Sequence, residues 1–166
     1  MKKLFFLLLV SIGAISANAQ NNSDIREWTY EIEGVSQSRD VGTYIVKVWS
    51  YTKKPKIDYD IAKRNAIHGI IFRGYLKKGN LPALPPISNA PGLEQTQKDF
   101  FDQFFRDGGD YLKYVAISNE NLAISGGDLI KINKGYKIGM IMSVNKNLLL
   151  RDLEAAGVVK SLSNGF

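Results

Sequence analysis

The sequence predicts an α+β fold, in which about three helices cover a mainly antiparallel sheet of four to six strands. In several segments apolar residues alternate with polar ones, which is the period of a strand, while in others they recur at the period of a helix. The predicted order is two strands, a helix, a proline-rich loop, a helix, two or three strands and a last helix. Neighbouring strands in this order are joined by hairpin-like connections, which favours antiparallel pairing.

The first predicted helix, from Asp58 to Gly74, is the stretch around which the other elements are placed. Ala62, Ala66 and Gly69 recur at helical spacing, and side chains this small let a helix lie close to a sheet. Asp58 or Asp60 is suited to cap the helix, and a glycine ends many helices. We therefore expect this helix to pack directly on the strands.

Alternation predicts the strands. Trp28, Tyr30 and Ile32 alternate with polar residues, as in a half-buried strand. The segment 43–51 is apolar on both faces, which predicts a central strand. Later strands are predicted at 110–117, 129–132 and 136–144.

Two more helices are predicted from apolar residues at helical spacing. The helix at 93–107 carries a stripe of aromatic residues, which is typical of a helix face that packs in a core. The last helix is predicted to begin at the cap Asn147 and to end at Gly157. The stripe consists of Phe100, Phe101, Phe104 and Phe105.

The first nineteen residues have the pattern of a secretory signal peptide. Lys2 and Lys3 precede an apolar run at 4–12, and Ala17 and Ala19 form a small-residue cleavage motif. The run is shorter than the roughly 20 residues of a membrane-spanning helix. We expect cleavage after Ala19 and an exported protein, periplasmic or extracellular, whose residues 20–166 form a single domain.

Composition narrows the possible functions. Two of the 22 basic residues lie in the signal peptide, so the remaining 20 exceed the 16 acids by four. So small an excess, spread along the chain, does not predict nucleic-acid binding. The chain has no cysteine, which excludes disulfides, thiol catalysis and a lipid-accepting cysteine. We predict neither a transmembrane segment nor a lipid anchor.

A proline-rich loop at 75–92 carries the candidate partner-binding residues. It contains four of the five prolines, and Leu81, Leu84 and Ile87 recur every three residues. This is the repeat of an extended polyproline helix, on which the three side chains would line one edge. The alternative is that these side chains cover the core of their own domain.

Residues of the types that carry out catalysis are present, but none is in a catalytic pattern. His68 is the only histidine, and within a helix it is more often packed or half-exposed than catalytic. The glycine-flanked acids of 107–110 and 125–128 fit turns better than calcium or phosphate sites. Asp99 and Asp102 lie on one helix face and are interpreted as solvated charges. We predict no catalytic residue, metal or cofactor.

Three segments together resemble a known family. They are YEIEGVSQSRDVGTYIVKVWSY, DIAKRNAIHGIIFRG and YKIGMIMSVNKNLLLRDLEAAGVV. Nearly the whole mature chain resembles an uncharacterised exported family of Bacteroidota. More distantly it is similar to the LPP20-type envelope lipoprotein domain, although it has no lipid-accepting cysteine. The resemblance implies an accessory protein of the envelope or periplasm and brings no catalytic residues.

We therefore predict a non-enzymatic periplasmic or cell-envelope accessory protein that binds another cell-envelope protein. One alternative is a small carrier of an apolar ligand, which a dry cavity behind Phe101 and Phe105 would favour. The other is a small hydrolase that uses aspartate or glutamate, which a cleft joining several acids to His68 would favour.

Overall fold

The structure, a computed structural model, describes residues 28–118 and 126–160. The predicted signal peptide at 1–19 lies outside the described residues, so cleavage after Ala19 stays a prediction. Within the described ranges, no helix has both the length and the apolar character needed to cross a bilayer.

The described chain forms five strands and four α-helices. The strands are β1 (Tyr30–Gln37), β2 (Thr43–Thr52), β3 (Val115–Ile117), β4 (Leu129–Ile132) and β5 (Gly135–Asn145). The helices are α1 (Tyr59–Phe72), α2 (Leu93–Thr96), α3 (Lys98–Phe104) and α4 (Lys146–Ala155). Two 3-10 helices precede β3 and β4, at Asp110–Tyr114 and Gly126–Asp128.

The strands form one antiparallel sheet in the order β1-β2-β5-β3, and β4 pairs with the other end of β5. The predicted α+β class is confirmed, and β2 is central as its two apolar faces predicted. Side chains alternate between the faces of a sheet, so each strand contributes to both. The helix face, on which α1 packs, carries Tyr30, Ile32, Val46, Val48, Ser50, Ile138, Met142 and Val144.

Helix α1 lies against this helix face as the small residues predicted. The side chain of Asp58 accepts hydrogen bonds from the backbone N–H groups of Asp60 and Ile61, which caps the helix. Ala62 and Ala66 are fully buried. A Cβ at Gly69 would lie 2.8 Å from Cδ1 of Ile32, so the helix approaches β1 too closely for a larger side chain to fit without a shift.

The segment 93–117 departs from the prediction. The single helix expected at 93–107 is two helices, interrupted at Gln97, whose ψ of 33° is not helical. The strand expected at 110–117 is a 3-10 helix followed by the three residues of β3. Tyr111 and Tyr114 are both buried, and a three-residue spacing places both on one side of a 3-10 helix but on opposite sides of a strand.

Helix α4 begins two residues earlier than predicted. Its N-cap is Asn145, whose side-chain oxygen accepts from the backbone N–H of Leu148, whereas Asn147 is exposed. The helix ends at the C-cap Ala156, and Gly157 follows it in the left-handed conformation with φ 71°.

The proline-rich segment is tied to the end of α1. Tyr75 pairs with Leu84 and Lys78 pairs with Leu81 in a short antiparallel turn. Beyond it, the backbone N–H groups of Ile87 and Ser88 donate to the carbonyls of Ile70 and Ile71. This segment therefore continues the packing of α1.

Candidate functional site

The three candidate partner-binding residues do not form an exposed edge. Leu84 is 6% exposed and belongs to the core, while Leu81 and Ile87 are half-buried and pack against it. The alternative interpretation, that these side chains cover their own domain, fits this arrangement. A partner surface must be sought elsewhere.

The aromatic stripe of the 93–107 segment is part of the core, as predicted. Phe101, Phe104 and Phe105 are buried, and Phe100 is half-buried against them. The ring of Phe105 lies 5.2 Å from that of Trp28 and 6.1 Å from that of Tyr111. A cavity behind Phe105 would favour the apolar-ligand alternative. The space there is lined by closely spaced rings.

His68 lies in a buried cluster at the start of β1. Its ring stacks on that of Trp28 at 3.8 Å, and its Nδ1 lies 2.6 Å from the hydroxyl of Tyr30. Its Nε2 lies 3.4 Å from Oε2 of Glu94, whose Oε1 accepts from Nε1 of Trp28. Because Glu94 is the acceptor at Nε2, the neutral imidazole carries its proton there and accepts from Tyr30 at Nδ1.

This Tyr30–His68–Glu94 chain resembles a proton relay, but its environment is unsuited to catalysis. His68 is 4% exposed and Tyr30 is 5% exposed. Burial lowers the pKa of His68, although Glu94 opposes the shift, and burial raises the pKa of the Tyr30 hydroxyl. Both groups are neutral near pH 7, and neither is open to a substrate. The sequence allowed His68 to be packed or half-exposed, and it is packed.

Arg73 completes the cluster from the end of α1. Its guanidinium donates to the carbonyls of Trp28 and Tyr30 and lies 4.1 Å from the Tyr30 ring. The cluster therefore fastens the first residues of β1 to α1 and α2. Its geometry is that of a structural contact between three elements.

Several of the other candidate acids have partners of their own. Asp107 accepts from Arg64, and Asp102 pairs with Lys98 on the same helix. Asp128 pairs with Lys47, while Ser125 lies outside the described residues. Across 28–118 and 126–160, no group of three or more histidine or acidic side chains is placed to hold a metal ion.

The face of the sheet opposite α1 is the most distinctive exposed surface. We call it the open face; its glycine, Gly139, is buried beneath a neighbouring ring, and its other residues are half-buried or exposed. An antiparallel sheet often leaves one face in water, but such a face is usually polar, whereas apolar and aromatic side chains lie at the centre of this one. The open face carries Glu31, Glu33, Ile45, Lys47, Trp49, Tyr51, Lys137, Gly139 and Ile141.

Trp49 is held in place on the open face by two contacts. It pairs with Gly139 across β2 and β5, and a Cβ there would lie 2.9 Å from the indole ring, so the ring rests on the backbone of β5. The indole Nε1 donates to Oε1 of Glu33 at 3.1 Å. Tyr51, which is 40% exposed, donates in the same way to Glu31. Both aromatic residues are thus oriented by acids of β1.

Charges of both signs surround these rings in pairs. Lys47 pairs with Asp128, Lys137 with Glu31 and Lys78 with Glu33. The ammonium groups of Lys47 and Lys137 lie 5.3 and 5.0 Å from the centre of the Trp49 ring, within cation–π range.

These pairs stabilise the charged forms of the groups around the rings. The hydrogen bond between Lys137 and Glu31 lowers the pKa of Glu31 and raises the pKa of Lys137. Burial raises the pKa of Glu33, but hydrogen bonds from Lys78 and Trp49 outweigh it and lower that pKa overall. These shifts favour the charged forms of Glu31, Glu33 and Lys137 at neutral pH.

The sequence contained part of the signal for this surface. Ile45, Trp49 and Tyr51 alternate along β2 and make its second face apolar, but Lys47 lies among them on that same face. A lysine between aromatic and aliphatic residues indicates a face that is not fully buried. The position of Gly139 beneath the indole depends on the pairing register of β5, which the sequence alone did not give.

No family model, curated protein or solved structure matches the chain. The resemblance to an exported Bacteroidota family and to the LPP20-type domain therefore stays a prediction.

Proposed function

We propose that this chain is a non-enzymatic binding protein of the cell envelope, and that it binds through the open face. The observation that carries the proposal is the pair of aromatic residues, Trp49 and Tyr51, fixed on a sheet face that α1 does not cover. Tryptophan and tyrosine contribute much of the binding energy at protein surfaces. Rings that are already oriented lose little conformational freedom when a ligand arrives.

A cleft near the start of α1 is a weaker candidate. It is lined by residues 52–54 and 56–60, among them Lys53, Lys54 and Lys56. The N-terminus of α1 would suit an anion, but the carboxylate of Asp58 already accepts from the backbone N–H groups there. The open face has aromatic rings fixed by hydrogen bonds, whereas this cleft is lined by exposed lysines.

The test is affinity capture from envelope extract of the producing cell, with immobilised protein that begins at Gln20. We expect Trp49→Ala with Tyr51→Ala to lose the proteins or glycans that the wild type retains. Tyr59→Ala is the matched control, because Tyr59 is an aromatic residue that is 51% exposed at the start of α1, away from the open face.

Unchanged retention by the double variant would contradict the proposal, provided that its circular dichroism spectrum matches that of the wild type. Loss of retention by the control variant as well would point to the cleft at the start of α1, which Tyr59 lines, and not to the open face alone.

A further inference from the structure

Building on the proposed function, we infer that the open face takes an uncharged saccharide chain, with one sugar ring stacked on Trp49. Size, charge and hydrogen-bonding capacity each lead to this class of ligand.

The size of the face favours a small or narrow ligand. With strands about 4.8 Å apart and a rise of about 3.4 Å per residue, three strands over seven residues cover roughly 340 Å². A stable protein–protein interface buries about 800 Å² on each partner. A protein confined to the open face would bind over less than half of that area, whereas a few sugar rings would fill it.

The charge balance favours an uncharged ligand. Three carboxylates and three ammonium groups border the face, and they pair with one another. A polyanion or an anionic membrane surface would be attracted to Lys47, Lys78 and Lys137 only if it displaced the acids that are paired with them. The field of this face therefore does not select for either sign of charge.

The chemistry of the face matches the two sides of a sugar ring. A pyranose presents a face of C–H groups, which carries a partial positive charge and is attracted to the electron-rich face of an indole. Its hydroxyl groups both donate and accept hydrogen bonds. Around Trp49 the carboxylates of Glu31 and Glu33 accept, and the ammonium groups of Lys47 and Lys137 donate.

The test is a titration of the protein with uncharged tetrasaccharides, cellotetraose and the N-acetylglucosamine tetramer, followed by NMR. Trigalacturonate serves as the anionic comparison. The chain has two tryptophans and therefore two indole N–H signals. We expect the Trp49 signal to shift on titration while the Trp28 signal, whose N–H is bound to Glu94, does not.

Trp49→Ala is expected to weaken binding at least tenfold, and Tyr59→Ala to leave it unchanged. The indole shift in the wild-type protein keeps the test valid even if Trp49→Ala fails to fold. The inference is overturned if neither tetrasaccharide at 10 mM shifts the Trp49 signal, or if trigalacturonate binds more tightly than both.

The two proposals fail in different ways. If capture from extract depends on Trp49 but no saccharide binds, the open face remains the binding surface and the saccharide assignment is wrong. The same conclusion follows if the captured material is a protein without glycan. If capture does not depend on Trp49, the proposed function itself is wrong.

Discussion

At the scale of single residues, His68 shows how position in the fold decides the role of a side chain. Its place in α1, among the small residues that face β1, predicted a packed or half-exposed imidazole. The structure buries it between Trp28 and Phe72, whose rings lie 3.8 and 4.7 Å away. Phe72 lies one turn along α1, but Trp28, Tyr30 and Glu94 come from distant parts of the chain. The sequence could therefore suggest burial but could not identify these partners.

Substitution of His68 is therefore expected to be costly. His68→Ala removes a stacked ring, leaves a cavity and takes away the acceptor of the Tyr30 hydroxyl. Together these losses should lower the free energy of unfolding by about 2–4 kcal/mol. Urea unfolding measures this loss, with Tyr59→Ala, a substitution of an exposed residue, as the control. If His68→Ala lowers the free energy of unfolding by less than Tyr59→Ala does, the cluster does not support the fold.

The protonation of His68 gives a second residue-scale prediction. Burial lowers its pKa in the folded state below the usual value of 6.5. The unfolded chain therefore takes up a proton near pH 6.5 that the folded chain does not. The contribution of His68 to stability is complete above pH 6.5 and falls as the pH drops below it.

NMR checks this prediction directly, because the chain has a single histidine and its imidazole signals need no assignment. The midpoint of their titration should lie below 6.5. His68→Gln should remove the loss of stability between pH 7 and pH 5, above the range in which carboxylates titrate. A midpoint above 6.5 would mean that Glu94 outweighs burial.

At the scale of elements, patterns within one segment predicted more than patterns that depend on contacts. Alternation in β1, β2 and β5 and the small residues of α1 predicted those elements, because each repeats a period set by its own backbone. The strand expected at 110–117 failed because Tyr111 and Tyr114 pack on distant elements. Tyr114, for example, donates to Asp152 of α4, which favours the 3-10 helix over local strand propensity.

The contact between α1 and the sheet gives one prediction at this scale. Ala66 is fully buried, so Ala66→Asp places a carboxylate in the core without a partner. The expected loss is about 3–5 kcal/mol, much of the stability of a domain this size. Ile61→Asp is the matched control on the same helix, where the side chain is 45% exposed. Thermal melts compare the two variants. An equal loss of stability in both would show that the buried face of α1 is misassigned.

The turn after α1 gives another prediction, in which core and surface leucines are compared. Leu84→Ser should cost about 2–5 kcal/mol, because it removes a buried side chain. Leu76→Ser, in the same turn but 87% exposed, should change stability by less than about 0.5 kcal/mol. Chemical denaturation separates them. A small effect at Leu84 would return 81–87 to consideration as a docking segment.

At the scale of the whole molecule, side chains from other elements cover part of the sheet edge at β1. β1 forms one edge, and an unpaired edge strand can associate with other chains. Arg73 donates to the carbonyls of Trp28 and Tyr30 at one end of β1, and Lys78 pairs with Glu33 further along. These side chains limit access to the backbone of β1. Binding on the flat open face is therefore more consistent with the molecule than addition of a strand at this edge.

The continuity of the core leads to the last prediction, which concerns the expected single domain at 20–166. One cluster of buried side chains runs from Val46 and Val48 of β2, through Phe104 of α3, to Val158 beyond α4. Elements that share one core unfold together, so urea should give a single two-state transition. Tryptophan fluorescence reports on Trp28 beside α1 and on Trp49 on the open face, while far-ultraviolet circular dichroism reports on the helices. Their midpoints should coincide, whereas two separate transitions would show that the chain contains a second cooperative unit.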